Sequence, residues 1–183
     1  MLRGLEAASA AGFSPVKINM VVQAGVNDDE VGAMVEYCRA RGFVLRLIER
    51  MPIGSAASEA WQSLQGIRQR LIEEHALIDT VIPGGGPARY LGSPDGSLTI
   101  GFITPMSQHF CDTCNRVRLA ANGDLYTCLD AAGATPLGVQ LRAGANDASL
   151  RARIAEAIWD RPESHDFGKG RDRKIRIMSV TGG

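Results

Sequence analysis

Apolar and polar residues along the first third of the chain predict a strand, a helix and a second strand. The segment PVKINMVVQ (15–23) alternates and then becomes continuously apolar, which is typical of a buried strand. Residues 27–42 carry apolar side chains at helical spacing, and FVLRLIERMPI (43–53) predicts the next strand. Two strands joined through a helix favour a parallel sheet covered by helices. The apolar face of the helix consists of Val31, Met34, Val35 and Cys38.

Capping residues mark the ends of the predicted helices in this region. The alanine-rich segment 1–13 predicts a short helix that ends at Gly12. For the helix over 27–42, Asn27 or Asp28 is the predicted N-cap, and Gly42 follows the last turn.

The pattern changes after Gly54. EAWQSLQGIRQRLIEEHAL (59–77) predicts an amphipathic helix, and the glycine- and proline-rich stretch 82–105 predicts short strands. Asn122-Gly123 lies between two alternating runs and predicts a hairpin with a two-residue loop. Residues 148–160 predict a last helix.

We therefore expect two domains, an α/β piece over 1–55 and an α+β piece over 56–183. One strand–helix–strand unit with a leading helix is too little for a complete barrel or a doubly wound sheet. Either another chain completes the sheet, or this sequence is the later part of a longer protein.

Composition restricts the class of protein. With 183 residues, 45% of them apolar, the chain can build a core in one domain or two unequal ones. Its 20 basic and 20 acidic residues cancel, which argues against bulk attraction to nucleic acid or an anionic membrane. There is no apolar run of about 18 residues and no signal-peptide pattern. We therefore expect a cytoplasmic protein whose thiols stay reduced.

Three of the four cysteines lie in one segment, FCDTCNRVRLAANGDLYTCL (110–129). Cys111 and Cys114 have the spacing of two thiolates that bind one metal centre, and the hairpin returns Cys128 towards them. Two kinds of centre remain open: a structural zinc ion with His109 as fourth ligand, or an iron–sulfur cluster with one iron lacking a protein thiolate. Unligated core cysteines are the third and least expected interpretation.

The other cysteine and a late histidine have plainer predicted roles. Cys38 lies on the apolar helix face and is expected to be a buried core residue. His165, in RPESHDF, has no ligand pattern beside it and is expected to be structural.

Basic side chains near the cysteines and on the first strand are candidate anion ligands. Arg116 and Arg118 share parity on a predicted strand, so both guanidinium groups point the same way and suit a phosphate or carboxylate. A solvated strand face is the alternative. Lys17 and Asn19 share the face opposite Ile18, which is either solvated or the lumen of a barrel.

The motif C-x2-C-N-R-x-R closely resembles that of the GTP 3′,8-cyclases, the molybdenum cofactor biosynthesis protein A family of the radical S-adenosylmethionine superfamily. PVKINMVVQAGVNDDE, RLIERMPIG, GPARY, IGFITPMSQHFC and the final Gly-Gly fall in the order of that family, so the similarity covers essentially the whole chain. The resemblance implies the C-terminal portion of an incomplete (β/α) barrel, followed by an α+β auxiliary iron–sulfur domain.

The resemblance also implies residue roles. Three cysteines would hold an auxiliary [4Fe-4S] cluster whose open iron meets the guanine of GTP: Cys111, Cys114 and Cys128. Four basic residues would bind GTP, the last a weaker candidate: Lys17, Arg116, Arg118 and Arg46. Met51 would line the S-adenosylmethionine site, and the pair Gly182 and Gly183 would reach into the active site. Arg46 and Met51 have opposite parity, which ideal strand alternation sends to opposite faces unless a bulge or strand end intervenes.

The implied reaction converts GTP to 3′,8-cyclo-7,8-dihydro-GTP, the first step of molybdopterin cofactor biosynthesis. It needs S-adenosylmethionine and a second [4Fe-4S] cluster, whose C-x3-C-x2-C motif is absent from this sequence, so we expect the chain to be inactive alone. Implied partners are GTP, the missing N-terminal half, a second copy of the chain and the cyclic pyranopterin monophosphate synthase. The competing class is a zinc-stabilised (Cys3His) module that binds a nucleotide or phosphate without catalysis.

Overall fold

The computed structural model describes residues 2–52, 61–130, 133–165 and 167. The helices are α1 (Leu2–Ala10), α2 (Val31–Arg39), α3 (Gln65–His75), α4 (Leu137–Arg142) and α5 (Asp147–Trp159). The strands are β1 (Lys17–Val22), β2 (Val44–Glu49), β3 (Ile78–Thr80), β4 (Arg89–Gly92), β5 (Thr99–Ile103), β6 (Arg118–Leu119), β7 (Asp124–Tyr126) and β8 (Thr135–Pro136). Among these helices none combines the length and the apolar character that crossing a membrane requires.

The chain divides into two compact units. The first comprises Met1–Arg50 and Trp61–Gln108, and the second comprises Met51–Ala60 and His109–Gly183. The first unit contains α1 to α3 and a five-stranded sheet, and the second contains α4, α5 and a three-stranded sheet. The boundary expected between residues 55 and 56 lies outside the described residues, so the division into 1–55 and 56–183 stays a prediction.

The sheet of the first unit is mixed and has the strand order β1-β2-β5-β4-β3. Strands β1, β2 and β5 are parallel, whereas β4 is antiparallel to both of its neighbours. The predicted parallel strand–helix–strand unit and the α/β class are therefore confirmed. Three short elements, β3, β8 and α4, were not expected, since three, two and six residues are too few to produce a readable period.

The core of this unit lies on one face of the sheet. Leu45, Leu47 and Ile100 are fully buried there, where burying such a side chain contributes about 1.5–3 kcal/mol. The predicted apolar face of α2 packs on it, and its most buried members are Val31, Val35 and Cys38. Cys38 is thus the expected core residue, and burial raises the pKa of its thiol to about 11, which keeps the thiol neutral.

The N-cap predicted for the helix over 27–42 is right in position but not in role, since Asn27 precedes the first turn and its side chain makes no capping hydrogen bond. The chain enters α2 through a 3-10 turn (Asp28–Glu30), and no side chain caps either element. Instead, the Asn27 side chain accepts a hydrogen bond from the Gln23 amide at 2.8 Å and donates to the Val21 carbonyl at 3.0 Å. The side chain expected to begin the helix therefore closes the turn after β1, a local alternative open to asparagine.

The predicted hairpin at Asn122-Gly123 is present between β6 and β7, but its loop has three residues. The Ala120 amide donates to the Asp124 carbonyl at 2.9 Å, and the Gly123 amide donates to the Ala120 carbonyl at 2.8 Å. Gly123 has φ +85°, the left-handed conformation that ends such a loop. The start of α4 packs closely on this turn. A Cβ at Gly138 would lie 2.2 Å from the Asn122 carbonyl oxygen, which leaves no room for a side chain there.

Glu49, at the end of β2, is a buried carboxylate with 1% exposure. One of its oxygens accepts the backbone amides of Met106 and Ser107, each at 3.0 Å. The other accepts the Ser107 hydroxyl and, at 3.5 Å, the Leu64 amide. Because several donors converge on it, the carboxylate ties the end of β2 to two segments that are remote in sequence.

Replacing Glu49 by alanine is expected to lower the free energy of unfolding by about 3 kcal/mol, since it strands buried amide donors. Glu36→Ala is the matched control, because Glu36 is exposed and lies 3.9 Å from Arg39. That control should cost less than about 0.5 kcal/mol. Urea denaturation followed by circular dichroism measures both, and equal midpoints for the two variants would contradict the assigned role.

Candidate functional site

The second face of the five-stranded sheet carries polar side chains. In the strand register, Asn19 is paired with Arg46, Arg46 with Gly101, and Gly101 with Tyr90. Lys17 lies two residues before Asn19 and therefore shares this face. The structure thus brings Lys17 and Arg46, both predicted to bind GTP, to one side of the sheet, opposite the core.

Arg46 is held in place across this open face. Its guanidinium Nε donates to Asn19 Oδ1 at 2.7 Å. Gly101 leaves the space that Arg46 and Tyr90 occupy, since a Cβ there would lie 2.7 Å from the Tyr90 ring and 3.2 Å from Arg46 Cγ. The parity conflict with Met51 disappears, because β2 ends at Glu49 and strand alternation does not extend to Met51.

In the second unit, a turn brings the first two cysteines together. The Cys114 amide donates to the Cys111 carbonyl at 3.2 Å. Arg161, just beyond α5, donates through one guanidinium nitrogen to the Cys111 carbonyl at 3.2 Å and through the other to the Cys114 carbonyl. A planar guanidinium presents two parallel donors, so one side chain fixes both peptide groups.

Cys128 follows the second strand of the hairpin. Strands β6 and β7 pair Arg118 with Tyr126 and Leu119 with Leu125. Continuing this register by two residues would put Cys128 across from Arg116. Like Cys111 and Cys114, Cys128 is a free, half-buried thiol.

The two arginines of the motif lie at the start of the hairpin. Arg118 belongs to β6, and Arg116 precedes the strand, with its guanidinium carbon 5.7 Å from the centre of the Phe110 ring. Both arginines are half-buried, whereas Val117 and Leu119 are exposed, as expected for two side chains on the same side. Within the described ranges neither arginine forms an ion pair, so both keep their charge for an anion.

A second group of possible ligands surrounds Cys111. His109, Cys111 and His165 each offer one ligand atom, and these atoms all lie within 4.8 Å of one another. His109 Nδ1 and His165 Nε2 are 3.0 Å apart, and the His165 ring packs against Phe167 at 4.6 Å between centroids. Cys114 and Cys128 do not belong to this close set in the described part of the chain.

Sequence reasoning missed two residues of this site, Arg161 and His165. Arg161 donates a hydrogen bond to the Cys111 carbonyl, and a His165 nitrogen lies within 4.8 Å of the Cys111 sulfur. Both residues are about fifty positions from Cys111 in sequence, and neither has a ligand or anion motif beside it. His109 was considered as a zinc ligand because it is adjacent to the cysteines. Gly182 and Gly183, predicted to reach into an active site, lie outside the described residues.

The donor set suits a cluster that takes cysteine thiolates. Three free thiols occur within one segment of one unit, and two backbone carbonyls of that segment are fixed by Arg161. None of the three is in a disulfide, so all remain available as ligands.

By its fold and site, the chain is a two-unit protein that combines an α/β unit with a cysteine-rich unit carrying candidate metal ligands. A model of the Molybdenum Cofactor Synthesis C family matches residues 43–167, and the chain belongs to this family. The GTP 3′,8-cyclase of Paracoccus denitrificans is 42% identical over 191 residues, covering 100% of this chain and 55% of that protein. Those of Ectopseudomonas mendocina and Caulobacter vibrioides are 42% and 41% identical, covering 100% of this chain and 57% and 54% of the relatives. The chain thus spans about half the length of the curated relatives it matches.

Replacing Arg161 by alanine is expected to loosen the turn between Cys111 and Cys114. Amide hydrogen exchange across residues 110–116 should become about tenfold faster, which corresponds to about 1.4 kcal/mol of local opening free energy. Arg161→Lys should recover only part of the protection, since an ammonium group lacks the two-pronged geometry.

Arg151→Ala is the matched control for this experiment, because Arg151 is an exposed arginine on α5. It should leave exchange in residues 110–116 unchanged. Unchanged exchange in Arg161→Ala itself would show that the guanidinium does not stabilise the turn.

Proposed function

We propose that the chain is the auxiliary-cluster and GTP-binding part of a GTP 3′,8-cyclase. One observation carries the proposal: a single hairpin presents two half-buried arginines and is flanked by three free cysteines. Similarity to relatives named GTP 3′,8-cyclase supplies the reaction, the conversion of GTP to 3′,8-cyclo-7,8-dihydro-GTP in molybdenum cofactor synthesis.

The proposed cofactor is a [4Fe-4S] cluster held by Cys111, Cys114 and Cys128. Three protein thiolates for four irons leave one iron open, and this iron supplies a Lewis-acid position for an electron-rich atom of the purine. The chain's own task is placement. Arg116 and Arg118 bind anionic groups of the nucleotide next to the cysteine segment, through charge-assisted hydrogen bonds.

The open face of the first sheet has the second proposed role. Lys17 and Arg46 would bind GTP from this face, with Arg46 oriented by its 2.7 Å hydrogen bond to Asn19. Among the strands of the described residues β1 is an outer one, so its second edge would pair with strands that complete a (β/α) barrel. In that barrel the polar face would line the lumen.

The remaining parts of the proposal concern the whole enzyme. Met51 would line the S-adenosylmethionine site, and Gly182 and Gly183 would enter the active site. The radical chemistry needs S-adenosylmethionine and a second [4Fe-4S] cluster on C-x3-C-x2-C, which residues 1–183 do not contain. The complete enzyme would form a homodimer in the cytoplasm and pass its product to the cyclic pyranopterin monophosphate synthase.

Anaerobic reconstitution of the chain with iron and sulfide is expected to give a brown protein with about four irons per chain. The double variant Arg116→Ala/Arg118→Ala should keep this iron but bind GTP at least tenfold more weakly, since it loses two charge-assisted contacts. Isothermal titration with GTP and iron analysis measure the two properties separately.

Exchange of two exposed arginines on α5, Arg151→Ala/Arg153→Ala, controls for the loss of positive charge. It should leave both iron content and GTP affinity unchanged. A colourless protein with one tightly bound zinc, and with unaltered GTP affinity in the Arg116/Arg118 variant, would favour the non-catalytic zinc module instead.

Cyclase activity is expected only when the chain is combined with a polypeptide that supplies the N-terminal half of a relative, including C-x3-C-x2-C. The readout is 3′,8-cyclo-7,8-dihydro-GTP formed from GTP under reducing, anaerobic conditions with S-adenosylmethionine. Cleavage of S-adenosylmethionine by the chain alone would disprove the division of labour proposed here.

A further inference from the structure

The cluster proposed above uses Cys111 but neither His109 nor His165. Yet these two imidazoles and the Cys111 sulfur lie within 4.8 Å of one another. The close nitrogens, His109 Nδ1 and His165 Nε2, are 3.0 Å apart. Two nitrogens and one sulfur can supply the three protein ligands of a tetrahedral zinc site whose fourth position holds water.

The donor atoms select the kind of ion. Zinc binds imidazole nitrogen at about 2.0–2.1 Å and thiolate sulfur at about 2.3 Å in tetrahedral geometry, which puts two ligating nitrogens about 3.3 Å apart. The observed 3.0 Å separation therefore needs to widen by only a few tenths of an ångström. Calcium and magnesium are disfavoured, since they require oxygen ligands.

The surroundings hold the three ligands close before any ion arrives. Arg161 ties its own segment to the Cys111 carbonyl at 3.2 Å, and His165 follows four residues later in that segment. The Phe167 ring packs on His165, with centroids 4.6 Å apart. A site whose ligands are already gathered loses little conformational entropy on binding.

We propose that His109, Cys111 and His165 bind one zinc ion in the cluster-free chain, with an exchangeable water in the fourth position. On binding, the hydrogen bond between His109 Nδ1 and His165 Nε2 breaks, and its proton moves through solvent to the other nitrogen of the donor ring. The Cys111 S–H bond also breaks, a Zn–S bond forms, and the thiol proton goes to solvent. Because Cys111 is also a proposed cluster ligand, zinc and the cluster exclude each other. This exclusion rests on the proposed function, whereas zinc binding itself does not.

Titration of the cluster-free chain with zinc, in competition with a chromophoric chelator, tests the site. His109→Ala and His165→Ala are each expected to weaken zinc binding at least tenfold, and Cys111→Ala should abolish it. His75→Ala controls for the loss of a histidine, because His75 lies at the end of α3 in the other unit. Cobalt titration should add a sulfur-to-cobalt charge-transfer band with the intensity of one thiolate, and X-ray absorption should find two nitrogens and one sulfur.

Variants of the two cysteines that lie outside the zinc ligand set should change iron binding rather than zinc binding. Cys114→Ala and Cys128→Ala should keep zinc affinity but lose iron on reconstitution, whereas His165→Ala should keep its iron. Zinc binding that survives loss of both histidines, or that disappears in Cys114→Ala or Cys128→Ala, would overturn the inference. Absence of iron in every variant would instead defeat the proposed cluster and leave the zinc result standing.

Discussion

The carboxylate of Glu49 is the interaction on which the rest of the first unit depends. Its strand, β2, is the central parallel strand between β1 and β5, and the chain leaves the unit one residue later, at Arg50. The two segments it binds, at Leu64 and at Met106 and Ser107, lie near the points where the chain re-enters and leaves the unit again. The Glu49 carboxylate therefore holds together three points at which the chain leaves or re-enters the first unit. From the last of these points the chain continues to the cysteines. A charged group in this position is stable only because backbone and hydroxyl donors converge on it.

This anchoring leaves the two faces of the sheet with different tasks. The buried face excludes water and provides the stability, so the opposite face can carry groups that would be costly in a core. Its arginine lies beside Gly101, where the missing side chain makes room, and Asn19 orients that arginine. A larger residue at Gly101 would displace Arg46 or Tyr90 from this face.

The features that could be predicted from sequence are those set by neighbours along the chain. Strand β1, the apolar face of α2, the burial of Cys38 and the hairpin at Asn122-Gly123 follow from residues at most a few positions apart. The predictions of the hairpin loop length and of the capping role of Asn27 were wrong, because each depended on which of two competing local hydrogen bonds forms. Arg161, His165 and the contacts of Glu49 with Met106 and Ser107 could not be predicted, since these contacts span about fifty positions or more and no periodicity encodes such a meeting.

Cys111 is shared by the two proposed metal sites. Its carbonyl is fixed by Arg161, whereas its sulfur has two potential sets of co-ligands: two cysteines of the same ribbon, and two histidines of which one belongs to the segment after α5. Thiolates alone favour an iron–sulfur cluster, and a mixed nitrogen and sulfur set favours zinc. The three cysteines are close in sequence, so bringing them together costs little loop-closure entropy. The second histidine, His165, is remote in sequence, and Arg161 holds its segment near Cys111. In this proposal, zinc and the cluster compete for one thiol, and Arg161 holds the segment of the second histidine near it.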